Sequence, residues 1–326
     1  MATPHQREIK VQSIKPSEEE RSTGKLSEAN LKRALEIMHE DGLLMIEDAV
    51  EHEHLDKLNE RMTSDAFALW EGGFRKGPQE TGNIQIDPPV ESGLFFEDVF
   101  LNRLAVCVTS AYLGGKPRMT FNSGNAAMHG TASQDIHSDF GNFGKVPSRP
   151  FAVVINTGLV PMSPANGSTE LWLGTHVLPR STPETDAQIV ISPEAHNKIQ
   201  RSAMERRKSD VPGKGPFQPI VPKGALMIRD LRLWHGGKPN PTDVPRIMVA
   251  QIHFAPGYRN PMRLQMPREL RGVVEAREDI DVAVDWVDGK VDNLRSTTQH
   301  TFNFLEEERR VPHAEMEQGK WAAVGA

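Results

Sequence analysis

A histidine and an aspartate stand two residues apart in the stretch QDIHSDFGN, at His137 and Asp139. Residues i and i+2 of a β-strand point to the same face of a sheet. In a strand, this imidazole and this carboxylate would therefore project together and could bind one metal ion. In a loop, the same pair could simply form a hydrogen bond, and two residues alone leave both interpretations open.

A second histidine and an arginine follow in the stretch DLRLWHGGKPNPTDVPRIMVAQIHF. His235 comes just after the predicted strand GALMIRD, and Arg246 opens the next apolar strand eleven residues later. Two histidines and one carboxylate are the ligand set of non-haem Fe(II) oxygenases, which keep metal positions open for substrate and O₂. These ligands leave part of the ferrous charge unbalanced, and a dianionic 2-oxo acid can supply the rest. Its far carboxylate needs a bidentate cation once it is buried, and arginine suits that role.

Four blocks of the sequence, in this order and spacing, resemble the phytanoyl-CoA dioxygenase family of Fe(II)/2-oxoglutarate-dependent oxygenases. QDIHSDF resembles the family's first histidine and aspartate with their preceding glutamine, and NGSTELWLGTH (166–176) resembles its strand and turn. PKGALMIRDLRLWHGG resembles the strand that leads to the second histidine, and RIMVAQIHF supplies the arginine. The likeness spans roughly residues 28–260.

The resemblance implies a set of site residues. His137, Asp139 and His235 would be the metal ligands and catalytic residues, and Arg246 would bind the far carboxylate of 2-oxoglutarate. Further cosubstrate contacts are expected from three polar residues: Gln134, Asn156 and Thr169. A purely structural role is the alternative for each of the three, since a buried amide in an apolar strand such as FAVVINTGLV needs a partner in any case.

The chain departs from the family pattern at two turns. Leu173-Gly174 replaces the usual Pro-Gly, and Lys223-Gly224-Ala225 replaces the usual Gly-Asp. The carboxylate of Asp139 is retained, whereas family members that halogenate carry a small residue at that position. The resemblance therefore favours oxygen insertion or desaturation over halogenation.

The implied function is an Fe(II)- and 2-oxoglutarate-dependent dioxygenase that also consumes O₂ and releases succinate and CO₂. It would hydroxylate, desaturate or oxidatively cyclise a small organic substrate. The sequence has no long basic stretch for a coenzyme A moiety, which favours a small secondary metabolite. The alternatives are a cupin-like metal-binding isomerase or non-oxidative binding protein on the same barrel, and a zinc hydrolase. Arg246 discriminates among them, because a non-oxidative site needs no clamp for 2-oxoglutarate.

The elements that must position these residues follow from the hydrophobic pattern. From about residue 118 onward, short apolar runs bounded by Gly, Pro and Asn predict an antiparallel sandwich or barrel. Before them, LSEANLKRALEIMHEDG and HEHLDKLNERMTSDA have helical apolar spacing, and VFLNRLAVCVTSAYLGG is typical of a buried helix. Together with the resemblance, this predicts a mainly β protein with a double-stranded β-helix (jelly-roll, cupin-like) core and flanking helices.

The predicted organisation is a flexible tail over residues 1–25 and a single catalytic domain over 26–326. A helical insertion is expected near 193–216, where the charged stretch MERRKSD is either a solvated helix face or a lid over an acidic substrate.

Composition excludes several classes of protein. The chain of 326 residues has a formal charge of −6 with dispersed basic residues, which argues against a nucleic-acid partner. The single cysteine rules out an intrachain disulfide and a cysteine-based metal site. Without an apolar leader or a membrane-length apolar run, the sequence predicts a cytoplasmic protein with no membrane partner. A small molecule is the expected partner, and a homodimer remains open.

Overall fold

The computed structural model describes residues 10–74, 78–140, 149–177 and 198–299, together with residues 303, 304 and 306. Within these ranges the strands, in chain order, are β1 (Ser13–Ile14), β2 (Leu43–Ile46), β3 (Asn83–Gln85), β4 (Arg118–Ala127), β5 (Ala152–Gly158), β6 (Glu170–Trp172), β7 (Leu226–Asp230), β8 (Trp234–Gly236), β9 (Arg246–Phe254), β10 (Leu264–Pro267), β11 (Asp281–Val282) and β12 (Val284–Val287). The α-helices are α1 (Glu18–Thr23), α2 (Glu28–Asp41), α3 (His52–Glu71), α4 (Glu97–Phe100), α5 (Arg103–Leu113), α6 (Arg201–Asp210), α7 (Arg271–Glu275) and α8 (Asn293–Gln299).

The helices before the barrel form where the sequence predicts them. Ser27 caps α2 by accepting a hydrogen bond from the backbone N–H of Asn30, and Gly42 ends it in the left-handed conformation at φ 70°. A side chain at Gly42 would also collide with the ring of His176. The apolar face predicted for α3 is fully buried: Leu55, Leu58 and Met62. None of the helices in the described ranges has both the length and the apolar character needed to cross a bilayer.

The larger sheet has eight strands. Its order is β1-β2-β7-β5-β9-β4-β11, and β3 also pairs with β4. The five central strands are antiparallel neighbours, while the short strands β1 and β11 join the edges in parallel. Alternate residues of β9 point to opposite sides, so that Ile247 and Val249 pack in the core beneath the helices, whereas Met248 and Ala250 face a cavity.

Two small sheets accompany the larger one in the described residues: β10 pairs with β12, and the sheet of β6 and β8 lies across the cavity. β6 pairs with β8, and isolated bridges between His137 and His235 and between Leu171 and Phe217 extend the pairing. Two facing sheets with helices on one outer side form the predicted double-stranded β-helix. The stretch QDIHSDF differs in detail from the sequence prediction, because it forms a bridge at His137 rather than a full strand.

Within the tail predicted over residues 1–25, Ser13–Ile14 and Glu18–Thr23 form a strand and a helix. β1 pairs with β2, and α1 carries a capping box between Ser17 and Glu20. Burial opposes the ionisation of Glu20, but hydrogen bonds from Ser17, Ser27 and Asn30 lower its pKa to about 2. The segment is therefore ordered by a buried carboxylate and backbone pairing, neither of which produces an apolar periodicity. Residues 1–9 lie outside the described part of the chain.

Helix α6 occupies the middle of the predicted insertion. The guanidinium of Arg207 donates to the carbonyl oxygen of Leu173 at 2.6 Å, and the ammonium of Lys208 lies 5.7 Å from the centre of the Trp172 ring. These basic side chains thus contact the end of β6. The first part of the predicted insertion, including Pro193, lies outside the described residues.

Candidate metal centre

A cavity of about 560 Å³ opens between the two sheets, a volume typical of small-molecule sites. Strand β9 supplies part of its floor through four alternate residues: Arg246, Met248, Ala250 and Ile252. The structure brings every site residue predicted from the sequence to this one cavity: Gln134, His137, Asp139, Asn156, Thr169, His235 and Arg246. None of the residues of α6, all of which are described, lines it.

Backbone pairing places the two histidines opposite each other. The N–H of His137 donates to the carbonyl oxygen of His235 at 2.8 Å, and the N–H of His235 donates to that of His137 at 2.9 Å. The ring centres are 4.3 Å apart. Residues that exchange both backbone hydrogen bonds are direct cross-strand neighbours, so their side chains share one face.

The histidine rings are held with the same nitrogen facing inward. The Nδ1 of His137 lies 2.8 Å from the carbonyl oxygen of Asp135, and the Nδ1 of His235 lies 2.9 Å from that of Leu233. Because a carbonyl oxygen only accepts, Nδ1 of His137 carries the proton and its Nε2 presents a lone pair. The Nδ1 of His235 lies near both the carbonyl oxygen of Leu233 and the guanidinium of Arg229. The Oδ1 of Asp139 lies 3.9 Å from Nε2 of His137 and 3.5 Å from Nε2 of His235.

The three side chains fit a metal ion. Their ligand atoms all lie within 4.8 Å of one another. Ligand atoms bound at about 2.1 Å to one ion are separated by about 3 Å on neighbouring corners. The Oδ1 of Asp139, at 3.9 and 3.5 Å from the two Nε2 atoms, is therefore close to the spacing that two ligands of one ion require. Two imidazole nitrogens and one carboxylate oxygen suit Fe(II) and leave other positions free.

The electrostatic environment favours the ligand forms of these groups. Burial, followed by the charge of His235, lowers the pKa of His137 to about 4, so its imidazole is neutral at pH 7. Burial acts to raise the pKa of Asp139, but the nearby charges of His235 and Arg229 hold it well below the usual value. The site thus presents a neutral imidazole and an ionised carboxylate.

Arg229 belongs to this centre, although it is not among the site residues predicted from the sequence. It lies on β7 with 6% of its surface exposed, and its Nη2 donates to Oδ2 of Asp139 at 2.6 Å. Its Nη1 lies 3.1 Å from Nδ1 of His235. The guanidinium therefore holds one oxygen of the carboxylate while the other faces the histidines. The signal in the sequence was a charged residue inside the apolar run GALMIRD, because a buried charge needs a partner.

Arg246 is buried but only partly satisfied. It is 2% exposed, and its Nη2 donates to the carbonyl oxygen of Gly167 at 2.9 Å. Its Nε and Nη1 atoms have no hydrogen-bond partner among the described residues. Burial lowers the pKa of this guanidinium to about 10. Unpaired buried donors on a cation are costly, and an anion such as a carboxylate would satisfy both of them.

The three remaining predicted residues differ in their surroundings. The Oε1 of Gln134 accepts a hydrogen bond from the N–H of Gly237 at 2.9 Å, which ties the turn after His235 to the neighbouring segment. Asn156 is 6% exposed and lines the cavity, and the described residues offer its amide no hydrogen-bond partner. Thr169 lines the cavity two residues after Gly167. Asn156 is thus the one with most hydrogen-bonding capacity left for a ligand.

Comparison with known proteins gives a family match and a fold match. The sequence profile of the family described as Phytanoyl-CoA dioxygenase (PhyH) matches residues 38–248. Among solved structures, the epimerase SnoN in complex with Fe3+, alpha ketoglutarate and nogalamycin RO is 15% identical with a TM-score of 0.50, over 70% of this chain and 84% of that chain. AviO1 from Streptomyces viridochromogenes Tue57 is 18% identical with a TM-score of 0.46, over 69% of this chain and 95% of that chain.

At 15% identity, the likeness to SnoN supports the jelly-roll fold alone. The family match is more informative, because it spans more than half of the chain and includes the histidines, the aspartate and the arginine described above. The protein therefore belongs to the phytanoyl-CoA dioxygenase family and, with it, to the Fe(II)- and 2-oxoglutarate-dependent enzymes.

Proposed function

We propose that this protein is a dioxygenase that oxidises a C–H bond of a small organic substrate by hydroxylation, desaturation or ring formation. His137 and His235 bind Fe(II) through Nε2, and Asp139 binds it through Oδ1. When bound, iron and 2-oxoglutarate supply, with O₂, an oxidant that removes hydrogen from a substrate carbon while succinate and CO₂ are released.

The observation that carries this proposal is the pair of unpartnered nitrogens on buried Arg246, in the same cavity as the three metal ligands. They match the two oxygens of the far carboxylate of 2-oxoglutarate. An isomerase that uses no 2-oxo acid, a zinc hydrolase or a non-oxidative binding protein on this barrel would have no use for a buried, half-satisfied cation at this place. Arg246 therefore favours the dioxygenase over these alternatives.

Several other residues that line the cavity have specific roles in this proposal. Arg229 fixes Oδ2 of Asp139, so that Oδ1 stays directed at the metal position. Asn156 contacts the bound cosubstrate from the floor of the cavity, with Thr169 and Gln134 as further contacts. Apolar lining residues such as Val154 and Ile252 exclude water from the reacting carbon.

The test is the absorption of the protein with Fe(II) and 2-oxoglutarate under anaerobic conditions. We expect a metal-to-ligand charge-transfer band, and succinate release once air is admitted. His137→Ala and His235→Ala should lose bound iron and the band. His129→Ala is the matched control, because that histidine is exposed and outside the cavity lining. If the wild-type protein gave no band, or if both alanine variants kept normal iron content, the proposal would fail.

A further inference from the structure

We propose that the part of the substrate bound inside this cavity is electrically neutral and joins an apolar ring system to amide-like hydrogen-bonding groups. This inference rests on the proposed function, since it assumes that 2-oxoglutarate occupies Arg246. It follows from the charges, the amides and the phenylalanines that line the cavity.

The charge of the cavity lining restricts the charge that a substrate can carry. Among the described lining residues, the ionisable groups are confined to five side chains: His137, Asp139, Arg229, His235 and Arg246. Three of them are the proposed metal ligands. Arg229 is paired with Asp139, and Arg246 is paired with the cosubstrate once that is bound. A charged substrate group would therefore give up part of its hydration without gaining a counter-ion among the described residues, which is unfavourable.

Two asparagine side chains lie on the neighbouring strands β3 and β4. The Nδ2 of Asn125 donates to Oδ1 of Asn83, and both side chains line the cavity. This contact uses one donor and one acceptor. The described residues give these two side chains no other hydrogen bond, so the amide nitrogen of Asn83 and the amide oxygen of Asn125 remain for a ligand. A carboxamide offers donors and acceptors without charge, which suits amide, lactam or hydroxyl groups.

One end of the cavity is apolar. Three phenylalanines line it, and the rings of Phe121 and Phe304 lie 5.4 Å apart at 81°. In the sheet register, Phe121 pairs with Ile252, Ile252 with Val154, and Val154 with Arg229. Because Arg229 reaches Asp139, this apolar row crosses the sheet at the level of the metal centre. A ring system placed on the row would present its C–H bonds to that centre.

The amide pair lies further along the sheet than that apolar row. Asn125 pairs with Met248, four residues along β9 from Ile252 towards Arg246. A molecule whose rings rest on Phe121 and Ile252 could therefore extend its polar groups to the amide pair. An acyl-coenzyme A thioester fits this description poorly. Its phosphates would have to stay outside the cavity, because the described lining residues offer them no free cation, and its straight acyl chain offers the apolar row no ring.

The experiment compares three probes that share one skeleton and differ by a single charge. N-acetylphenylalaninamide is neutral, N-acetylphenylalanine carries a carboxylate, and phenylalaninamide carries an ammonium group. Each is titrated calorimetrically into the full chain with saturating Fe(II) and 2-oxoglutarate, without oxygen, and hexanoyl-coenzyme A serves as the thioester. We expect the neutral probe to bind at least about tenfold more tightly than either charged probe or the thioester, since an unpaired buried charge costs more than 1.4 kcal/mol.

A pair of variants tests the amide contact. Asn125→Leu should weaken the neutral probe by about tenfold, the scale of a lost buried hydrogen bond with an unsatisfied partner. Asn59→Leu, on α3 and outside the cavity lining, should leave it unchanged. An Asn125 variant that binds the neutral probe as well as wild type would overturn the amide contact.

The failure of this inference can be told from that of the proposed function. The anaerobic charge-transfer band is recorded first, and its absence contradicts the dioxygenase itself. If the band is present but a charged probe or the thioester binds as tightly as the neutral probe, or if no probe binds, only the substrate inference is overturned.

Discussion

Replacing Arg246 by methionine should make the protein more stable in the absence of 2-oxoglutarate and unable to respond to it. The guanidinium is buried, and two of its three nitrogens have no partner among the described residues. Methionine follows the aliphatic stem of arginine without its charge. The variant therefore removes an unfavourable group from the ligand-free protein.

The size of the effect follows from the pKa of Arg246. Burial lowers it from 12.5 to about 10, and each pKa unit is worth about 1.36 kcal/mol, so the buried charge costs about 3 kcal/mol. Losing the hydrogen bond to Gly167 offsets about 1 kcal/mol of this. The net gain is about 2 kcal/mol in the free energy of unfolding, or a rise in Tm of about 4 °C. Since arginine is charged in both states below pH 10, the gain should be constant from neutral pH downward.

The assay is thermal unfolding of wild type and Arg246→Met over a series of 2-oxoglutarate concentrations, with metal and without oxygen. The Tm of the wild-type protein should rise with ligand concentration, because the ligand binds the folded state, and that of the variant should stay flat. Arg206→Met, an exposed position on α6, is the control and should behave as wild type. A ligand-free variant less stable than wild type would refute the energetic argument, and a normal response to 2-oxoglutarate would refute the role of Arg246 as the clamp.

Substitutions at three other residues have defined outcomes. Arg229→Met should weaken Fe(II) binding by about 10- to 100-fold, because the partner that fixes Asp139 is lost, and Arg229→Lys should weaken it less. Equal iron affinity of wild type and both variants, measured by dialysis, would contradict this. Asp139→Gly should keep some iron yet lose substrate oxidation, which product analysis by mass spectrometry can check. Burial, and after it the charge of Arg277, lower the pKa of His253 to about 3. As pH falls, the unfolded state therefore binds a proton on this histidine before the folded state does. The free energy of unfolding should fall as pH drops below about 6.5. In His253→Gln this fall should be shallower by up to about 1.4 kcal/mol per pH unit, and identical slopes in urea unfolding would show that His253 does not contribute.

The parts of the fold that the sequence predicted are those specified by local chemistry. The ends of α2 were predicted because serine and glycine satisfy the free backbone groups of a helix in recognisable ways. The strand carrying Arg246 was predicted because its apolar run is long and bounded by proline. The family resemblance then placed the candidate ligands, which a pair such as His137 and Asp139 could not do alone.

The parts that were missed depend on partners distant in sequence. Arg229 looks like any charged residue in a strand until Asp139, from another part of the chain, is seen beside it. QDIHSDF does not become a full strand, because it pairs with β8 only at the isolated bridge between His137 and His235. Ser13–Ile14 pair with β2 and Glu20 is buried, and these contacts have no periodic trace in the sequence.

The alternation along β9 has a consequence for how such an enzyme can diversify. Ile247 and Val249 pack in the core beneath the helices, whereas Met248, Ala250 and Ile252 line the cavity, and each set projects from its own side of the same strand. A mutation in the second set can reshape the binding surface without loosening the first. Because residues that pack against the helices alternate with residues that line the cavity, mutations can change substrate binding with little effect on folding. The backbone of the strand stays the same.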